Sequence, residues 1–208
     1  MNVFVLCTGR NGSYTFFKAC EHIENFTVGH EEYTKKLGDD RFDFPRDHIE
    51  IDNRLTWHIG EIDSKFGDDA FYVYLKRNKS KVRDSFKKRF KKHDSIISTY
   101  SQSIKKTPPE ELNKNERTQL AEDYIETVES NVDLLWKDKS NTLTIELENI
   151  NEGFSDFWDR INAEGNLNQA LAEFQKSYNA SKKNTLKEFL YKIKQTLKRW
   201  RFLIFEKA

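Results

Sequence analysis

Val3-Phe4-Val5-Leu6-Cys7 is an unbroken apolar run that feeds directly into Thr8-Gly9-Arg10-Asn11-Gly12-Ser13-Tyr14-Thr15. Five apolar residues without polar alternation read as a strand covered on both faces, the condition of a parallel sheet. The Gly- and Ser-bearing stretch reads as a turn. Phe16, Phe17, Ala19, Cys20 and Ile23, at mixed three- and four-residue spacings, then read as a helix. Working outward, Phe26-Thr27-Val28 predicts a second short strand ending at Gly29. Residues 33–53, charged and rich in Asp and Arg, read as a loop with short helical pieces. Leu55, Ile59 and Ile62 fit a short amphipathic helix, and Phe71 to Leu75 is the next strand. Strand and helix alternate in the βαβ rhythm of an α/β domain with a parallel sheet.

The remainder reads as mostly helical. Val82, Phe86 and Phe90 repeat at four, and Ile97, Tyr100 and Ile104 continue a face. Thr107-Pro108-Pro109 breaks the pattern and is expected to start the next helix, whose stripe is Leu120, Tyr124, Val128 and Leu135. Thr142 to Leu147 alternates, with Leu143, Ile145 and Leu147 expected inward, and predicts a fourth strand. Two short helices follow around Phe154–Ile161 and Leu167–Phe174. Residues 185–208 read as a basic amphipathic C-terminal helix. With no repeat and no linker in view, the expectation is one domain over residues 1–208.

Composition sets the outer bounds. Of 208 residues, 37% are apolar and 33% charged, yet 16 Phe, 8 Tyr and 4 Trp supply the bulk for a core. A formal net charge of +1 argues against a protein held on nucleic acid by bulk charge. No apolar run is long enough for a transmembrane helix, and Val3 to Cys7 is too short for a signal peptide. Two cysteines, Cys7 and Cys20, make neither a disulfide framework nor a metal site. The expected setting is soluble, reducing and cytoplasmic.

A strand–turn–helix of this kind offers an anion the free N–H groups and positive dipole end of the helix, with glycines permitting close approach. Ser13 and Thr15 add hydroxyl donors and Arg10 a full charge. The plainer alternative is a tight turn with Ser13 as an ordinary N-cap. The turn is not a nucleoside-triphosphate P-loop: Ser13 stands where that motif needs Lys, and Cys7 where it needs its first glycine. A second element lies downstream. Tyr72-Val73-Tyr74-Leu75-Lys76-Arg77-Asn78 runs from a strand toward a helix, and Ser85 follows Arg77 by eight residues. Arg at a strand end and Ser on the facing helix can grip one phosphate from two sides.

Together the two elements resemble the sulfotransferases that use 3′-phosphoadenosine 5′-phosphosulfate. Arg10-Asn11-Gly12-Ser13 matches that family's [Arg/Lys]-x-Gly-[Ser/Thr] turn, and Arg77, Asn78 and Ser85 match its later motif in order and spacing. Lys79 stands where the family has proline. Gly29-His30-Glu31-Glu32, Asp52-Asn53-Arg54-Leu55 and Tyr178-Asn179-Ala180-Ser181 are similar to stretches of bacterial sulfotransferase-like proteins. The animal cytosolic enzymes' C-terminal Arg-Lys-Gly signature is absent, and Ser181, Lys182 and Lys183 are the candidates for its role.

The resemblance implies a P-loop-like three-layer α/β/α domain and sulfuryl transfer to a hydroxyl or amine of a small-molecule, lipid or carbohydrate acceptor, with no metal. It implies that residues 10–15 (Arg10, Asn11, Gly12, Ser13, Tyr14, Thr15) hold the 5′-phosphosulfate and that Arg77 and Ser85 hold the 3′-phosphate. Arg10 would also stabilise charge on the leaving oxygen. The base is expected just after the second strand, where His30, Glu31 and Glu32 are all eligible. Glu31 is favoured for its Glu-Glu-Tyr context, and His48 is a more distant alternative. The rivals are another nucleotide-dependent transferase of kinase-like type and a non-catalytic module on the same fold. Two basic stretches remain. The helix carrying Lys79 to Lys92 reads as a solvated face, with steering of an anionic ligand as the sharper alternative. The terminal helix reads as docked on the core, with an anionic membrane surface as its alternative.

Overall fold

The computed structural model describes residues 1–90, 92, 95–176 and 178. The chain divides into two units, Met1–Ser177 and Tyr178–Ala208, and every strand and helix of the described residues belongs to the first. The predicted C-terminal helix over 185–208 lies outside the described residues, as do Asn179 to Lys183.

Five strands form one wholly parallel sheet: β1 (Val3–Cys7), β2 (Thr27–His30), β3 (His48–Ile51), β4 (Phe71–Lys76) and β5 (Thr142–Glu146), in the order β2-β3-β1-β4-β5. All five residues of β1 are fully buried, as an unbroken apolar run at the sheet centre requires. Alternate side chains supply two cores. Phe4, Leu6, Tyr72 and Tyr74 pack with α2 (Ile59–Phe66), α3 (Lys79–Lys87) and α5 (Lys114–Trp136). Val3, Val5, Cys7, Val73 and Leu75 pack with α1 (Ser13–Cys20), α6 (Ile150–Arg160) and α7 (Leu167–Glu173). The short α4 (Ile96–Thr99) joins the first layer through Ile97. Helices on both faces of the sheet make a three-layer α/β/α domain.

Four readings of the sequence need correction. The stretch 33–53 is more than a loop: it contains β3, inserted between β2 and β1. His48-Ile49-Glu50-Ile51 hid because its polar positions are also buried, paired with each other rather than facing water. The prolines do not start a helix. α5 begins at Lys114, where Asn113 and Glu116 form a reciprocal capping box. Residues 100–104 widen into a π-helical turn, which rotates Ile104 to the surface while Ile97 and Tyr100 stay buried. In the last strand only Ile145 is buried; Leu147 falls beyond its end.

The chain leaves β1 for one side of the sheet and crosses to the other side only at β4. The carboxyl end of β1 is therefore the switch point at which open α/β sheets bind ligands, and the turn 8–12 sits there. Among the described residues no helix is long and apolar enough to cross a membrane.

Candidate anion site at the end of the central strand

The turn between β1 and α1 is built from left-handed backbone. Gly9 has φ 76°, Arg10 66° and Gly12 87°. Two of these positions carry glycine, the residue that adopts this region at no steric cost; Arg10 adopts it against preference. Close packing explains the glycines further: a Cβ on Gly12 would lie 2.9 Å from Leu147 Cδ1, and one on Gly9 3.5 Å from Asn53 Nδ2. Gly12 is the N-cap of α1 and no side chain caps the helix, so Ser13 is its first residue rather than its cap. The first-turn N–H groups thus have no side-chain oxygen on them.

The turn is fastened from beneath. Tyr124, fully buried in α5, donates its hydroxyl to the Thr8 carbonyl at 2.9 Å. Asn11 is also fully buried, and its side-chain amide donates to the Leu75 carbonyl at the end of β4. Its side-chain amide therefore fastens the turn to β4, while its Oδ1 is buried without a hydrogen-bond partner. Burial pushes the Cys7 thiol under the turn up to about 12, so it is no thiolate at neutral pH.

The two sequence motifs meet here. Arg77, one residue past β4, donates from Nη1 to the Arg10 carbonyl at 3.0 Å, and Arg10 donates from Nε to Ser85 Oγ on α3 at 3.1 Å. α3 is set at the right place by Asn78, whose side chain accepts from Lys81 N as an N-cap. Arg89, four residues beyond Ser85, joins the group. Burial and then the charges of Arg89 and Arg77 lower Arg10 from the usual arginine range to about 10. Among the described residues no carboxylate pairs with Arg10, Arg77 or Arg89. Three guanidiniums that lower one another's charge stability, with no carboxylate partner among the described residues, are complementary to a multiply charged anion.

Arg89 was missed by the sequence reading, which grouped it with the basic run of that helix. α3 ends at Lys87, so Arg89 lies beyond the helix and no helical spacing marked it in the sequence. The cations within α3 itself each have a carboxylate within 4 Å. Lys79 pairs with Glu126 at 2.6 Å, Arg83 with Glu122 at 2.9 Å, Lys81 with Glu148 at 3.1 Å, and Lys76 with Glu129 at 3.3 Å. With Lys87 3.8 Å from Asp84, all four cations of α3 are offset, two of them by α5, whereas Arg10, Arg77 and Arg89 have no carboxylate partner among the described residues.

At the carboxyl end of β2 the three candidate bases separate. His30 leans on the turn: its Nε2 is 3.4 Å from Ser13 Oγ, and its ring packs on Tyr14 and Phe17. Thr15 lies half-buried in the same helical turn. Glu31, left-handed at φ 56°, holds Arg54 Nη1 at 3.0 Å. Arg54 follows Asn53, the residue packed on Gly9, so Glu31 also borders the turn. The Glu32 carboxylate lies instead over Gly29, in the company of Glu50 and His48. His48 is at the opposite end of β3 from the turn, buried, with Nδ1 2.9 Å from Thr27 Oγ1 and Nε2 3.1 Å from Glu50 Oε2. That placement removes it as an alternative base. Among the described residues no cluster of His, Cys, Asp and Glu could hold a metal ion.

Compared with known proteins, the chain matches no family model, no curated protein and no solved structure.

Proposed function

We propose that this protein is a sulfotransferase that moves a sulfuryl group from 3′-phosphoadenosine 5′-phosphosulfate to a hydroxyl or amine of a small-molecule, lipid or carbohydrate acceptor. The observation that carries the reading is the junction of Arg77, Arg10 and Ser85, which joins an anion turn to a second, separately encoded anion grip. A nucleotide phosphorylated at both ends of its ribose needs two such grips, and one phosphorylated only at the 5′ position needs one. In this reading the fold is P-loop-like in using a β1–α1 turn for the 5′-phosphate, without the lysine of a nucleoside-triphosphate loop.

The donor group fits the residues present, because three uncompensated guanidiniums and an uncapped helix start are complementary to two phosphates. The backbone N–H groups of residues 11–15 take the 5′-phosphate; Arg77, Ser85 and Arg89 take the 3′-phosphate. When bound, the donor supplies an activated sulfuryl group. Arg10 neutralises the bridging oxygen as its bond to sulfur breaks. Glu31 takes the acceptor proton as the acceptor oxygen bonds to sulfur, and His30 lines the same edge of the turn.

Calorimetric titration tests the reading. Adenosine 3′,5′-bisphosphate should bind at least about tenfold more tightly than adenosine 5′-monophosphate, as charge-assisted hydrogen bonds to the second phosphate require. Arg77→Ala should erase the preference. Equal affinities would remove the assignment, and tighter binding of magnesium-ATP would redirect it to a kinase-like transferase.

A further inference from the structure

A cavity of about 610 Å³ opens between the segment 34–42 and α2, apart from the arginine cluster. Its wall includes Arg41, which is only 5% exposed. Arg41 Nη2 donates to Asp52 Oδ2 at 2.6 Å, but its buried Nη1 has no hydrogen-bond partner. Leaving such a donor unmet is costly, which makes it a sign of an absent acceptor. The N-terminus of α2 also borders the cavity, at Gly60. The N-cap His58 puts its ring on Glu61 at 3.0 Å and leaves the helix start without a side-chain cap. Two independent donor sets, a guanidinium and a helix start, therefore border one hollow.

Lys36 and Lys65 stand against Asp39 and Glu61, and Arg41 is offset by Asp52, so the surroundings carry no net charge. What is left to a ligand is hydrogen-bond donors, the unmet Arg41 Nη1 and the start of α2, which a singly charged carboxylate can accept from at a lower charge cost than a phosphate dianion. Phe42 supplies an apolar wall, and its ring meets His58 edge-on at 5.6 Å.

The cavity is also wired to the proposed base. Thr34 in its wall donates to the same Asp52 Oδ2 that Arg41 uses, at 2.8 Å. The other oxygen, Asp52 Oδ1, accepts from Arg54 N at 2.8 Å, and Arg54 holds Glu31. We propose that this cavity binds a small hydroxylated carboxylic acid, its carboxylate met by Arg41 and the start of α2. Its role as the sulfuryl acceptor rests on the sulfotransferase reading above, whereas the binding does not.

Gly60 gives a clean variant. A Cβ there meets nothing within 4 Å, so Gly60→Phe fills the hollow without pressing on the core, and it removes a helix-weakening glycine. Arg41→Lys keeps a cation on buried Asp52 while losing the fork. The probes are 4-hydroxyphenylacetate with its uncharged amide, and glucuronate with glucose, which separate an aromatic from a sugar acid. In at least one pair the acid should bind about tenfold or more tightly than its neutral twin. That preference should be lost in Gly60→Phe, cut at least several-fold in Arg41→Lys, and retained in Arg77→Ala. Binding by none of the probes, equal binding of acid and twin, or binding that survives Gly60→Phe would overturn the proposal. If the preference stands while adenosine 3′,5′-bisphosphate shows none over the monophosphate, the cavity assignment holds and the sulfotransferase reading falls.

Discussion

Arg77 Nη1 donates to the backbone carbonyl of Arg10, a bond of 3.0 Å between residues 67 apart in sequence. It does two things at once. It holds a non-glycine residue in left-handed backbone, a conformation that costs about 1–2 kcal/mol on its own. It also brings a second guanidinium against the first, so the electrostatic strain of the site and the shape of its turn share one contact. On the sulfotransferase reading, loss of Arg77 should both weaken 3′-phosphate binding and loosen the turn.

Arg89 separates those effects. Its side chain makes no hydrogen bond or ion pair among the described residues, and its charge opposes that of Arg10. Arg89→Gln should leave the free protein as stable as before or more stable by up to about 1 kcal/mol, since only repulsion is removed. Affinity for adenosine 3′,5′-bisphosphate should fall about tenfold. Scanning calorimetry of the free protein and a parallel titration read the two numbers. A drop in stability with unchanged affinity would make Arg89 a structural residue.

The turn glycines should differ in a defined way. Gly9→Ala meets only ordinary contact with Asn53 and pays for left-handed backbone, about 1 kcal/mol. Gly12→Ala pays the same and also presses on Leu147, so its loss in denaturant unfolding should be larger, about 1.5–2.5 kcal/mol. Placing Gly12→Ala in a Leu147→Ala background should return the increment to that of Gly9→Ala. An unchanged increment would mean the contact with Leu147 carries none of the cost.

The order of strands and helices around the central strand was legible wherever burial is one-sided or complete. Val3 to Cys7 and Phe71 to Leu75 announce themselves because nothing polar interrupts them. His48 to Ile51 did not, because Glu50 and His48 solve each other's burial in space, and a linear pattern cannot display that pairing. The start of α5 was misplaced for a related reason. Two prolines mark where a helix cannot continue, but the cap at Asn113 decides where one begins.

Arg10, Arg77 and Ser85 were legible as two motifs, and their meeting at 3.0 and 3.1 Å is what the fold adds. Arg89 and the cavity beside Arg41 were not legible. Each depends on the absence of a partner, and sequence lists every possible partner without saying which are out of reach. The basic run from Lys79 onward illustrates the converse. It reads as a strong positive face, yet within α3 every cation has a carboxylate within 4 Å, two of them from α5.

Catalysis should divide between Arg10 and the end of β2. If Arg10 meets the donor as proposed, Arg10→Ala should weaken bisphosphate binding and slow turnover together. Glu31 pairs with Arg54 and is the proposed acceptor-side base. Glu31→Gln keeps size and polarity but removes the proton acceptor, so bisphosphate affinity should stay nearly constant while the rate falls by about 10²–10⁴. Arg54, ion-paired with that carboxylate, is expected to act as its positioning residue. Arg54→Ala should lower the rate less than Glu31→Gln, and Arg54→Lys, which restores a cation, should recover part of it. His30 touches Ser13 at the start of α1, so His30→Ala is expected to disturb donor binding as well as rate. These variants are compared by single-turnover assay with labelled donor and an acceptor found by screening. A fully active Glu31→Gln beside an inactive His30→Ala with intact bisphosphate affinity would transfer the base to His30. That result would also mean that the carboxylate on Arg54 shapes the acceptor opening without taking its proton.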